Sequence, residues 1–446
     1  MRRIELLLGR PLADVEASTL QSLVTGSVRE DTDLDFKEKL YGQGDPEKRD
    51  LSGDVAAMAN TIGGVIVLGI AEKDGAAAKL TPVALSEAEV LRMRQIVTSN
   101  VAPVPRFDIH RVPESDGATT GFYLIAVPRS SDAPHAVRVN DALKYARRDG
   151  ARTRWLSESE VADAYRSRFQ QAASQVERLD QIFREGVAAL ETDETAWLAV
   201  AISPLSPGQI EIGQRTINEA RTKWTGAWSG GMQFGHSLFH AAGVNVAAGV
   251  GRVIMAVGRN AGGRSRWGHA ELYQDGAGFV ASPLWSLGPS ELPNRDIIQI
   301  DDEQLVNAGL SAVRFLVEHA TTHCGAVGDA IAQAQIVVSG LRECWLVHSR
   351  QGYRSEWDGS RAVYRFPLSR HQVNLDESQT AAGALLAARM LLTDLFQYLG
   401  VPEVPQITAT GNLRRRYFRS DYFGTVEKWA ESARVQVTKS LLGEED

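Results

Sequence analysis

Apolar residues recur with helical spacing near the start of the chain. Leu12, Val15, Leu20 and Leu23 share one face of residues 11–25 and predict a short amphipathic helix. Residues 33–37 alternate polar and apolar, as a strand does. Gly42, Gly44 and Pro46 among charges predict a loop over 41–50. Leu51, Val55 and Met58 then line one face of a helix over 50–61. Gly63 and Gly64 stop that helix, and the unbroken apolar run 65–70 predicts a strand covered on both faces. Ser86 and Glu89 have capping-box spacing for a helix over 86–99. Strands follow over 107–112 and 121–127, then a hairpin over 137–146. Ser157 and Glu160 open a helix to 169 that continues, with a break, to about residue 190.

From 171 onward both element types mix. Strands are predicted over 196–202, 252–257, 334–338 and 361–366, and helices over 302–321 and 379–399. The expected class is α+β: a mixed sheet with flanking helices over 1–170, then an α/β or α+β region of one or two domains over 171–446. A chain of 446 residues agrees with two or three domains at ~150 residues each. Its 43% hydrophobic and 23% charged content is ordinary for globular proteins and lets it bury sizeable cores without covalent staples. Two cysteines, Cys324 and Cys344, make neither a disulfide framework nor a four-thiolate zinc site, which points to a reducing cytoplasm. The first ten residues have a basic start, but their apolar run is short and broken by Glu5, unlike a secretory signal. No apolar stretch approaches the ~20 residues of a spanning helix, so no membrane partner is expected. A net charge of −7 argues against a broad, non-specific nucleic-acid coat and leaves room for a small basic groove.

Candidate chemistry gathers around the first strands. Glu30 and Asp35 are five residues apart, and Asp31, Thr32 and Asp33 form a plausible turn that lets them converge. Glu72 stands just past the apolar run, at a strand end. Lys37, two residues from Asp35, points the same way. Three carboxylates can hold a hard cation such as Mg2+ or Mn2+ against a phosphodiester, and a lysine can neutralise charge building on the phosphate.

The motifs in this stretch resemble the AlbA-type N-terminal domain of the Schlafen family. Glu30 is followed by Asp35-Phe36-Lys37 where the family has Glu-Phe-Lys. Ala57-Met58-Ala59-Asn60-Thr61-Ile62-Gly63-Gly64 matches its Ala-x-Ala-Asn-Thr-x-Gly-Gly, and a strand ends at Gly69-Ile70-Ala71-Glu72. Pro134-His135 and then Tyr145, Arg147, Gly150 and Thr153 match later family positions. The resemblance covers roughly the first third of the chain. It implies that Glu30, Asp35 and Glu72 are the catalytic, metal-binding trio. Two of them depart from the family, with Asp35 one methylene shorter and Glu72 one longer, and a shift of ~1 Å costs catalysis heavily. It further implies a metal-dependent endoribonuclease acting on RNA, tRNA included, with stress or phage defence as its setting and a homodimer as its assembly. The alternative is a DNA-binding regulator that does not cut, with an effector-sensing C-terminal region.

Lys144, Arg147, Arg148, Arg152 and Arg154 form a local basic run suited to gripping a nucleic-acid backbone, with Arg92 and Arg94 as weaker candidates. A second run, Arg414 to Arg416 with Arg419, interleaves with Tyr417, Phe418, Tyr422 and Phe423, as single-strand binders and protein interfaces both do. His236 and His240, and His319 and His323, are each four apart, but lack the glutamate of a zinc-protease helix. No phosphate-loop motif occurs.

Overall fold

A computed structural model of the chain describes residues 7–10, 12–190, 192, 196–224, 244–257, 268–284, 297–350, 353–420 and 423–438. It divides into two compact units, Met1–Ala172 and Ala173–Asp446. Helices and mixed sheets occur together, an α+β architecture.

In the first unit, α1 (Ala17–Thr25) precedes β1 (Leu34–Lys37), α2 (Asp45–Ala59) and β2 (Gly63–Leu68). Next come the hairpin β3 (Ile70–Lys73) and β4 (Ala76–Leu80), then β5 (Val83–Ala84), α3 (Glu87–Asn100) and β6 (Val101–Ala102). Strands β7 (Asp108–Pro113), β8 (Thr120–Pro128), β9 (Ala136–Val139), β10 (Ala142–Asp149) and β11 (Arg152–Trp155) lead into α4 (Glu158–Ala188). One sheet pairs β1 parallel to β2 and β2 antiparallel to β8, with β5 and β7 also on β8. A second, antiparallel sheet has the order β11-β10-β9-β6.

The apolar run of β2 is buried along its whole length. Val65 and Val67 pack with Leu20 and Leu23 of α1 and with Leu34 and Phe36 of β1. Ile66 and Leu68 pack on the opposite side with Leu51, Val55 and Met58 of α2, which also meet Val137 and Val139 of the second sheet. Helix α2 thus lies between the two sheets. It begins earlier than its apolar face predicts, at Asp45. Pro46 sits in its first turn, where a missing N–H costs nothing, and Asp45 and Glu47 favour the positive end of the helix. Gly64 is required by close packing, because a Cβ there would lie 2.5 Å from both Asp33 O and Met58 Sδ.

The second unit is built on a seven-stranded antiparallel sheet. Its strands are β12 (Ala196–Pro204), β13 (Val244–Gly249), β14 (Arg252–Val257), β15 (His269–Tyr273), β16 (Gly278–Leu284), β18 (Asp329–Val337) and β21 (Ser369–Asn374). A smaller sheet joins β17 (Ile297–Asp301), β19 (Glu343–Arg350) and β20 (Tyr353–Glu356). Helices α5 (Asp302–Glu318) and α6 (Ala381–Tyr398) belong to the large core on one side of the seven-stranded sheet. Leu179, Ile182 and Phe183 pack on the other with Trp197 and Phe279. The strand predicted over 361–366 is absent; only Val363 bridges, to Cys344, and Pro367 delays regular pairing until Ser369. The break predicted within 157–190 is absent too, since α4 runs through 31 residues. Among the described residues no helix is long and apolar enough to cross a membrane.

Candidate functional site

The alternation of β1 sends Leu34 and Phe36 into the α1 side of the sheet and Asp35 and Lys37 toward α2. There Asp35, 2% exposed, meets two cations. Its Oδ2 is 2.7 Å from Lys37 Nζ, and its Oδ1 accepts from Arg148 Nη1 at 3.0 Å. Arg148 reaches down from β10 and also donates from Nη2 to Asp31 O at 3.1 Å. The C-terminal end of α2 fixes the strand that carries it. Asn60 Nδ2 donates to the carbonyls of His135 (2.9 Å) and Ala146 (2.8 Å), and Thr61 Oγ1 accepts from the Arg148 amide at 3.0 Å.

Asp54 of α2 completes the cluster, 3.4 Å from Lys37 Nζ and accepting from the Tyr41 hydroxyl at 2.8 Å. Nothing in the sequence marks Asp54 or Tyr41 as members of this cluster. Burial works against the charge on Lys37, but Asp54 and Asp35 outweigh it and hold its pKa above the ordinary value. Burial and then Asp35 push Asp54 up despite Lys37; Lys37 Nζ sits closer to Asp35, at 2.7 Å against 3.4 Å to Asp54.

Glu30 and Glu72 are engaged elsewhere. Glu30 is half-buried, and its Oε1 accepts the Phe36 amide at 2.7 Å, closing the turn between Glu30 and β1. Burial raises its pKa, and the neighbouring Asp35 and Glu72 add to that. Glu72 is exposed and accepts the Gly75 amide at 2.7 Å across the β3–β4 turn, next to a bulge between Ala71 and Glu72. The three acids therefore share a neighbourhood but each has its own partner. Asp35 already has a cation at each oxygen, and among the described residues no group of three or more His, Cys, Asp or Glu side chains is placed to hold a metal ion. The donor set formed by Glu30, Asp35 and Glu72 does not fit Mg2+ or Mn2+ in this arrangement.

The basic run divides in the same way. Arg148, 4% exposed, faces inward. Arg154 is tied to Glu160 by contacts of 3.0 and 2.6 Å. Lys144, Arg147 and Arg152 are exposed and, among the described residues, lack a carboxylate partner; Lys144 Nζ lies 5.8 Å from the centre of the Trp155 ring. Of the weaker candidates, Arg92 holds Glu89 and the carbonyls of Tyr41 and Gly42, and Arg94 pairs with Asp108.

In the second unit Arg414 pairs with Glu403, Arg415 with Glu427 and Arg419 with Glu303. Those arginines join their own unit together. His319 is buried against Tyr273 O at 2.8 Å, and His323 stacks on Trp224; burial lowers their pKa values to about 3 and about 4. His236, His240 and Tyr422 lie outside the described residues.

The sequence pattern of the Schlafen AlbA_2 family matches residues 30–157. Among solved structures, the DIP2311 protein from Corynebacterium diphtheriae is similar at 20% identity and a TM-score of 0.24, over 38% of this chain and 29% of that one. The chain thus spans less than a third of that protein's length. The N-terminal domain of an ATP-dependent DNA helicase RecG-related protein from Nitrosomonas europaea is similar at 15% identity and a TM-score of 0.24, over 32% of this chain and 95% of that one. No curated protein matches. Segment 30–157, which holds the ion-paired cluster and the β10–β11 basic strands, is a Schlafen AlbA_2-type domain.

Proposed function

We propose that the 30–157 domain binds nucleic acid through the exposed cations of β10 and β11, and that the buried acids beneath act as an ion-paired support. One observation carries this reading. In a chain of net charge −7, Arg147 and Arg152 on one face of the β10–β11 pair, and Lys144 at the edge of the other, are exposed without carboxylate partners among the described residues, while Asp35 of the adjoining cluster is already matched. Unmatched cations on one strand pair attract a polyanion and release its counterions on binding. RNA, tRNA included, or DNA is the partner in this reading, and region 171–446 selects the substrate or senses an effector.

The test is anisotropy of labelled tRNA, single-stranded RNA and duplex DNA with the full chain, at several salt concentrations and with EDTA present. Binding that weakens with salt and with Arg147→Ala and Arg152→Ala supports the proposal; no binding to any of the three ends it.

Metal-dependent endoribonuclease action is the second reading, supported by the family match that spans Glu30, Asp35 and Glu72. It requires Asp35 to leave Arg148 or Lys37. Cleavage of the bound RNA on adding Mg2+ or Mn2+, lost in Glu30→Ala and Asp35→Ala with binding kept, would establish it.

A further inference from the structure

Residues directly opposed on antiparallel strands share a face, as do alternate residues along each strand. In the β9–β10–β11 sheet one face is closed, with Val137, Ala146 and Arg148 buried in it. The other face carries Arg138 opposite Leu143, then Tyr145, then Arg147 opposite Arg154. Leu143 is 59% exposed. Arg138 and Arg147 are exposed and without a carboxylate partner among the described residues.

Helix α4 adds an aromatic series to this face. The Tyr165 hydroxyl lies 3.2 Å from that of Tyr145, and the two rings meet edge to face at 6.1 Å. One turn further, Phe169 stacks on Tyr165 with centroids 6.4 Å apart and planes 26° from parallel. Phe169 is 67% exposed, an unusual placement for a phenylalanine. The nearby Arg168 and Arg166 are tied to Asp132 and Asp163, so they do not cover its ring.

Resting on the nucleic-acid reading above, we infer that this face takes unpaired nucleotides, with a base stacked on Phe169 beside Tyr165 and the backbone drawn along Arg147 and Arg138. The argument is one of matching surfaces. A duplex offers phosphates to the arginines but keeps its bases stacked internally, so it has no use for an exposed phenylalanine. A single strand presents phosphates and free π-faces together, and arginine beside exposed aromatic rings suits both.

The experiment uses the full chain in EDTA with a labelled 12-nucleotide single strand and a duplex of the same length. The single strand also carries 2-aminopurine, whose fluorescence falls on stacking. Phe169→Ala is expected to weaken single-strand binding roughly 5- to 150-fold, the range for losing one stacked base. It should abolish the quench and leave duplex binding within about twofold. Phe169→Trp, which keeps a π-face, should retain both affinity and quench.

An unchanged single-strand affinity in Phe169→Ala, or an equal loss for duplex, overturns this inference while leaving nucleic-acid binding intact. Equal displacement of the strand by polyglutamate overturns it too, since the face would then read charge alone. Absence of binding to either oligonucleotide overturns the nucleic-acid reading as well.

Discussion

Arg148→Ala tests the support beneath the basic face. The Arg148 and Asp35 side chains are 2% and 3% exposed, and their contact at 3.0 Å joins residues 113 apart in sequence. Breaking a buried pair by deleting one partner costs about 3–5 kcal/mol, because the remaining charge stays buried. Lys37 remains 2.7 Å from Asp35 and softens the loss, whereas the hydrogen bond to Asp31 O disappears with the guanidinium and adds to it. The low end, about 3 kcal/mol, is the expected outcome, or about two orders of magnitude in the opening equilibrium. Segment-resolved hydrogen exchange on the full chain in rising urea reads it directly from the β10 and β1 amides. The pair Asp35→Leu/Arg148→Met removes both charges, so it should lose less than the sum of the single changes, with a coupling of about 2 kcal/mol or more. A loss below about 1 kcal/mol in Arg148→Ala, or strict additivity in the pair, would show that Arg148 does not anchor β10 through Asp35.

Gly64→Ala should destabilise the first unit by about 1–3 kcal/mol, since its Cβ would press on Asp33 O and Met58 Sδ with no room to shift; urea unfolding measures it. Glu303 of the second unit has a pKa raised to about 8 from 4.5, by burial first and then by Asp302 and Asp301. Its folded form holds the extra proton, so this stability is complete below pH 4.5 and is lost as pH rises through about 8. Glu303→Gln should flatten the urea midpoint between pH 5 and 8.5, and an unchanged pH dependence would refute the assignment. Arg152→Ala should weaken binding evenly across sequences and lower the salt slope by about one unit in a log–log plot.

Much of the first unit is legible because one-dimensional periodicity decides it. An apolar run such as 65–70 has no polar side to offer water, so β2 lies between α1 and α2. The same period of two places Asp35 and Lys37 side by side, with Nζ and Oδ2 2.7 Å apart. The start of α2 is less legible: Gly44, Asp45 and Pro46 are turn formers in isolation, and their helical role depends on the packing that continues the helix. Asp54 is less legible still. On the helix it is one charge among several, and only the fold brings it to Lys37.

In the basic run strand alternation decides what charge alone leaves open. Arg147 and Arg148 are adjacent, equal in charge and equally plausible as phosphate ligands. On a strand covered by a helix, neighbours must point to opposite faces, so one of them is buried. A buried guanidinium requires an anion, and Asp35 supplies it. The arginine that looks like a ligand therefore occupies the carboxylate that looks like a metal donor. The exposed partner, Arg147, gains by the exchange, because the bond beneath it fixes the strand from which it projects. Any nucleic acid held at this face then meets cations set by a buried ion pair, and a metal ion would have to displace Lys37 or Arg148 before it could reach Asp35.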